Sequence, residues 1–113
     1  VPITNQQVAG RAFLQPMYDD PYFPDRVVDR GKVILLQLCG RIEAKQPSDL
    51  ETLYALTQAA TEEFNLLDRE FMAAGSGIET VAREWICDEF CLVASAYGFT
   101  DADAEELTAG RDW

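Results

Sequence analysis

The chain is 113 residues long, 48% hydrophobic and 11% aromatic, so it holds one globular domain able to bury a core without metals or disulfides. Twenty acidic against nine basic residues leave a net charge of −11, which argues against direct contact with nucleic acid backbones or anionic membranes and admits a basic protein partner. There is no histidine, the commonest general base and transition-metal ligand, and three widely placed cysteines fit reduced thiols in a cytoplasm better than a disulfide framework.

No stretch alternates at period two for long enough to make a strand. The predicted architecture is one all-α domain over residues 1–113, a compact bundle of four to five helices. An N-terminal arm (1–25) precedes helices at about 26–46, 49–74, 77–97 and 101–109. The polar N-terminus lacks the apolar length of a signal peptide, and Val1 in place of methionine fits an alternative start, a processed end or a trimmed chain.

In chain order, Thr4 and Gln7 form a capping-box pattern that opens a short helix carrying Val8, Ala12 and Phe13 and stopping near Pro16. The next stretch, MYDDPYFPD (17–25), is predicted to be extended by its prolines. Tyr18, Asp19, Asp20, Tyr22 and Phe23 in it are candidate partner-binding residues, because aromatics give contact area at low entropic cost and aspartates meet basic side chains. The competing expectation is that the aromatics cover the bundle and the aspartates cap the next helix.

The run from Val27 to Ile42 is the predicted centre. At about 100° per residue, Val27, Gly31, Ile34, Leu35, Leu38 and Ile42 share one face, with Val28 and Cys39 on its edge. Gly31 in that face would let another helix approach closely. Val33 and Leu36 lie away from it, so several neighbours are expected to cover this helix. Pro47 ends it, and Ser48 or Asp49 caps the next.

The third long stretch carries one stripe of Leu53, Leu56, Ala60, Phe64, Leu67 and Phe71, bordered by Thr57 and Ala74. Leu66, on its polar side with Ala55, Ala59 and Ala73 nearby, is a candidate contact or dimer seam, so the chain is expected to be a monomer or a homodimer. After Gly75-Ser76-Gly77, the fourth stretch turns Ile78, Val81, Ala82, Trp85, Ile86 and Val93 inward, with Phe90 and Tyr97 at the margin. Gly98 is the expected residue after its C-cap. Thr100 or Asp101 is predicted to cap a short last helix holding Leu107.

Candidate chemistry is sparse. Cys87 and Cys91 at i,i+4 fall short of the four ligands of a structural zinc site, even with Cys39 added. Carboxylates crowd the third and fourth helices, yet the i+3 partners of Glu62 and Glu84 are Asn65 and Cys87, which breaks the paired-carboxylate spacing of a magnesium site. Asp101, Asp103 and Glu105 start like an EF-hand loop but lack its glycine and final glutamate. Glu89 is the anomaly, since it projects into an apolar face between Trp85 and Val93. A buried carboxylate must be paired, hydrogen-bonded or neutral, and Arg11, Arg41, Lys45 or Tyr54 could satisfy it. Glu89, Glu63 and Glu84 are therefore the candidate ligand-pocket residues; no cofactor or metal is expected.

The blocks LQPMYDDPYFP, VDRGK, LYALTQAATEEFN, IETVARE and AYGF…EEL…RDW together resemble a family of short bacterial proteins catalogued only as a domain of unknown function. The resemblance covers nearly the whole chain and implies a bacterial, cytoplasmic, stand-alone domain. It carries no activity or catalytic residues, and Cys87 and Cys91 stand out as peculiar to this chain. Two functions are expected from the residues. The first is a non-enzymatic protein-binding module, adaptor-like or comparable by fold-level analogy to the acidic helical immunity proteins that neutralise basic toxins. The alternative is a metal- or small-ligand-dependent enzyme or binding protein with a carboxylate pocket.

Overall fold

Pro24 and Pro47 bracket the helix on which the others are laid. The computed structural model describes residues 3–113, and among these the chain is all-α. Its helices are α1 (Gln6–Ala9), α2 (Gln15–Tyr18), α3 (Asp25–Lys45), α4 (Leu50–Ala73), α5 (Thr80–Ala96) and α6 (Ala104–Leu107). Three are long. They run up, down and up: Arg30 and Arg41 of α3 meet Glu70 and Glu63 of α4 in reverse order, while Tyr97 at the end of α5 reaches Glu43 at the end of α3.

Each long helix is bounded by local chemistry. Asp25 sits in the first turn of α3 and Lys45 in its last, both matched to the helix dipole, and Gln46 closes it in the left-handed region (φ 50°). Asp49 caps α4 by accepting from the Thr52 amide at 2.8 Å, and the Thr52 side chain, then that amide, lower the Asp49 pKa. α4 and α5 both end in Schellman motifs. The amides of Ser76 and Phe99 return to the carbonyls of Phe71 and Ala94 at 2.8 and 2.9 Å, with Gly75 and Gly98 at φ 89° and 92°.

The predicted inner face of α3 is buried throughout, from Val27 to Ile42. A Cβ on Gly31 would lie 3.0 Å from Leu14 Cδ1 and 3.3 Å from both Leu67 Cδ2 and Phe64 Cε1, so α4 and the N-terminal arm both close on this spot. On α4, Leu53, Ala60, Phe64, Leu67 and Phe71 face inward as the periodicity requires. α5 buries Ala82, Ile86, Phe90, Val93 and Ala94. Phe23 stands edge-on to Phe71 and Trp85 at one end of the core; Phe64 contacts Phe90 and Trp113 elsewhere in it.

Several local expectations are corrected. Pro16 starts a helix instead of stopping one: it lies in the first turn of α2, where its missing N–H costs nothing. The 17–25 stretch is not extended. Met17 and Tyr18 are helical, and the Asp20 side chain accepts from the Tyr22 amide at 2.9 Å to fold the rest into a turn. α1 is capped by Asn5 and not Thr4, and α6 by Asp103 and not Thr100 or Asp101. α5 begins at Thr80, leaving Ile78 buried in a loop and Val81 exposed on the first turn. Asp68, one of the carboxylates that crowd α4, is buried, where it accepts from the Ile78 amide at 2.7 Å and pins the α4–α5 turn.

The two glycines of α3 should respond oppositely to substitution. Gly40→Ala meets nothing nearer than Ile3 Cδ1 at 3.8 Å and should stabilise by up to about 1 kcal/mol through helix propensity. Gly31→Leu must displace Leu14, Leu67 and Phe64 and should destabilise by about 1–3 kcal/mol. Urea unfolding of the two variants compares them directly.

Candidate functional site

The buried acid on α5 binds the N-terminal arm. Arg11 donates to Glu89 Oε1 through Nε at 2.9 Å and Nη2 at 2.6 Å, and the Leu14 amide donates to Oε2 at 2.6 Å. Of the four partners open from sequence, Arg11 is the one used. The Glu89 side chain is 3% exposed and that of Arg11 39%, so the cation keeps contact with water while the carboxylate does not. Leu14, the residue so held, has φ 63°. That conformation costs a branched residue on the order of 1–3 kcal/mol and persists only where its surroundings require it. Both oxygens of Glu89 are thus engaged inside the protein.

The other candidate carboxylates lie elsewhere. Glu63, on α4, pairs with Arg41 of α3 at 3.3 Å. Glu84 is exposed on α5, about 140° around the helix from Glu89 at five residues' separation. The structure does not bring the three together, and no group of three or more metal-ligating side chains converges among the described residues. Cys87 and Cys91 are half-buried and unpaired, and Cys87 lies near Thr108 and Arg111 of the C-terminal segment. Burial pushes both thiols up, which keeps them protonated and poorly nucleophilic near neutral pH.

The aromatic segment is largely committed to the bundle. Phe23 is buried, and Tyr18 is half-buried with its hydroxyl donating to Asp29 at 2.5 Å. Burial, followed by that carboxylate, raises the Tyr18 pKa to about 12. Tyr22 is exposed and donates to Glu79 at 2.9 Å, a contact that raises its pKa too. Asp19 accepts from Gln15 at 2.9 Å on the surface, and Asp20 holds its own turn. What remains open here is Asp19, Pro21 and Tyr22.

Two features escaped the sequence reading. Glu43, on α3, gathers the Thr4 amide and hydroxyl, the Asn5 amide and the Tyr97 hydroxyl, all at 2.6–3.2 Å. The Tyr97 bond, then the Thr4 amide, hold its pKa at about 2. Nothing in its sequence neighbourhood distinguishes Glu43 from a solvated helix-end acid. The second feature is an open apolar groove. Val33 is 49% exposed and Leu66 58%, and both line the channel between α3 and α4. Val33 continues along α3 into a strip with Leu36, Gly40 and Ala44, which Ile3 flanks beside Gly40. Leu66 was expected as an exposed contact, whereas Val33 and Leu36 were expected to be covered by neighbouring helices.

Removing Arg11 (Arg11→Ala) should cost about 3–5 kcal/mol, because it leaves the Glu89 carboxylate buried and unpaired. Glu89→Leu with Arg11→Met should cost less than the sum of the single changes, and a double-mutant cycle in urea measures the coupling. Glu43 has a folded pKa of about 2 against an ordinary 4.5. Its stabilisation is therefore complete above about pH 4.5 and disappears as the pH falls toward 2. Glu43→Gln should remove that part of the acid sensitivity, read as a stability deficit relative to the parent that shrinks as the pH falls between those values.

Neither curated proteins nor solved structures give a match to this chain. A family model does: the one described as a family of unknown function, DUF5713, matches residues 7–113. The match takes in the Arg11–Glu89 pair and all three long helices, so the chain belongs to that family.

Proposed function

We propose that this is a non-enzymatic protein-binding module, working in a bacterial cytoplasm, whose contact surface is the α3–α4 groove. The observation that supports it is the exposure of Val33 and Leu66 side by side, continuous with the Leu36, Gly40 and Ala44 strip. Single exposed apolar residues are ordinary, but a contiguous apolar strip rimmed by charges is the usual mark of an interaction site. The rim is charged here: Arg30 pairs with Glu70 on one side of the channel, and Arg41 with Glu63 further along. Free thiols and the family resemblance favour the reducing compartment. The turn that exposes Asp19 and Tyr22 offers a second, smaller contact.

The alternative, a divalent ion or phosphorylated metabolite held by carboxylates, has less geometry behind it. It would need Glu63 and Glu84 from separate surfaces, and Glu89 already satisfies Arg11 and Leu14.

The experiment is native mass spectrometry on tagged protein drawn gently from its own cells. The parent, Val33→Glu/Leu66→Glu and Asp19→Asn/Asp20→Asn are compared at equal expression. A second protein in fixed ratio to the parent, lost in the first variant, is the expected result. Loss only in the second variant moves the contact to the 17–25 turn. A partner retained by both, or a thermal shift of several degrees with magnesium or a sugar phosphate alone, would overturn the reading.

A further inference from the structure

The groove itself describes the shape and charge of what fits it, and the following rests on the binding-module reading above. Two open stretches meet at Val33 and Gln37: Val33 shares the α3–α4 channel with Leu66, and Val33, Leu36, Gly40 and Ala44 continue as a strip spanning about 16 Å of α3 at 1.5 Å per residue, beside Ile3 and Thr4 of the arm. Toward Ala44 the α3 surface itself is made of small residues, Gly40 and Ala44, flanked by Ile3 and Thr4 of the arm, while Val33 and Leu66 project at the other end.

The two edges differ in charge. On the α4 side Arg30 is neutralised by Glu70 and Arg41 by Glu63, and Arg26 stands beyond the Val33 end of the channel. The opposite edge of α3 carries Asp25, Asp29 and Glu43 against the single cation Lys32. Asp29 and Glu43 accept hydrogen bonds from neutral donors, the Tyr18 hydroxyl for one and Thr4, Asn5 and Tyr97 for the other, and among the described residues neither is paired with a cation. They stand 14 positions apart, about 21 Å along the helix.

We propose that the groove receives one basic amphipathic α-helix of a partner protein, about four turns long. Its apolar residues at i, i+3 or i+4, i+7 and i+11 lie on the Val33–Ala44 strip, and its Lys or Arg side chains reach Asp29 and Glu43. An amphipathic helix in a hydrophobic groove is a recurrent mode of recognition, and cations at both ends would fix its position. A second copy of this chain fits less well, since it would bring two chains of charge −11 together at their acidic edges.

The test uses the full chain and a display library of 18-residue peptides. Apolar residues are fixed at i, i+4, i+7 and i+11 and the other positions varied, with Val33→Glu/Leu66→Glu as the counter-selection target. Both substitutions are at exposed positions, and an unchanged melting temperature verifies that the variant folds. The expected pool is rich in Lys and Arg beside the apolar positions and becomes helical on binding. Its members should bind the double variant at least tenfold more weakly, lose affinity with added salt, and lose less on the Asp29→Asn background. A neutral or acidic pool, an extended bound conformation, or equal binding to the double variant overturns the proposal. So does sedimentation showing a dimer of the chain alone that Leu66→Glu dissociates, because the occupant is then a second copy. A native partner that is lost on Val33→Glu/Leu66→Glu, with no basic helix selected, overturns this inference and leaves the binding-module reading standing.

Discussion

The contact on which the rest of this structure depends is the one between a single buried carboxylate and the turn that joins α1 to α2. Glu89 sits in the apolar face of α5, where an unpaired charge is prohibitive. The cost is met by an arginine and a backbone amide 75 or more positions earlier in the chain. Holding the Leu14 amide fixes that residue in the left-handed region, and this aims its side chain at the gap left by Gly31. One acid on α5 thereby determines how the arm crosses α3, and the arm in turn completes the core that α3 and α4 leave open. Satisfied polar contacts of this kind add specificity more than net stability, because the desolvation of the carboxylate offsets much of the attraction.

Other polar side chains repeat the device on a smaller scale. Asp68 holds the α4–α5 turn by the Ile78 amide, and Asn65 brackets the last residues by accepting from the Asp112 amide and donating to the Gly110 carbonyl, each at 3.0 Å. Gln58 donates to the Glu106 carbonyl, and the Tyr54 hydroxyl accepts from the Asp103 amide. Segments that make few hydrogen bonds of their own are thus tied to the long helices by side chains, which satisfies backbone groups that would otherwise be stranded against the core. The tail ends on Trp113, packed against Phe64 with the Arg111 guanidinium 5.9 Å from its ring centroid.

α3 has two apolar sides, and only one of them is used inside the molecule. Its inner face meets α4, α5 and the arm; its outer strip from Val33 to Ala44 is only partly covered, by Ile3 and Thr4 of the arm. An acidic protein can keep such a strip exposed because like-charged copies repel one another in solution. That combination of an apolar floor with an acidic surround underlies the binding-module reading, and it arises from α3 rather than from the aromatic turn that first drew notice in the sequence.

By itself the sequence determined the helical class, the three long helices and their inner faces. Those follow from the 3.6-residue period of apolar side chains, from prolines that cannot continue a helix, and from glycines at 75 and 98 where a left-handed residue is needed. It also marked Glu89 as a buried acid and Gly31 as a point of close approach, because each violates or thins an otherwise apolar face. What only the tertiary structure decided is which partners those residues take. Arg11 rather than Arg41 or Lys45 reaches Glu89, Phe23 turns inward while Tyr22 does not, and Val33 and Leu66 are left bare. Period reports which side of a helix is apolar, but coverage depends on where a short arm folds back. That path is set by a handful of hydrogen bonds between residues distant in the chain, to which local pattern is blind.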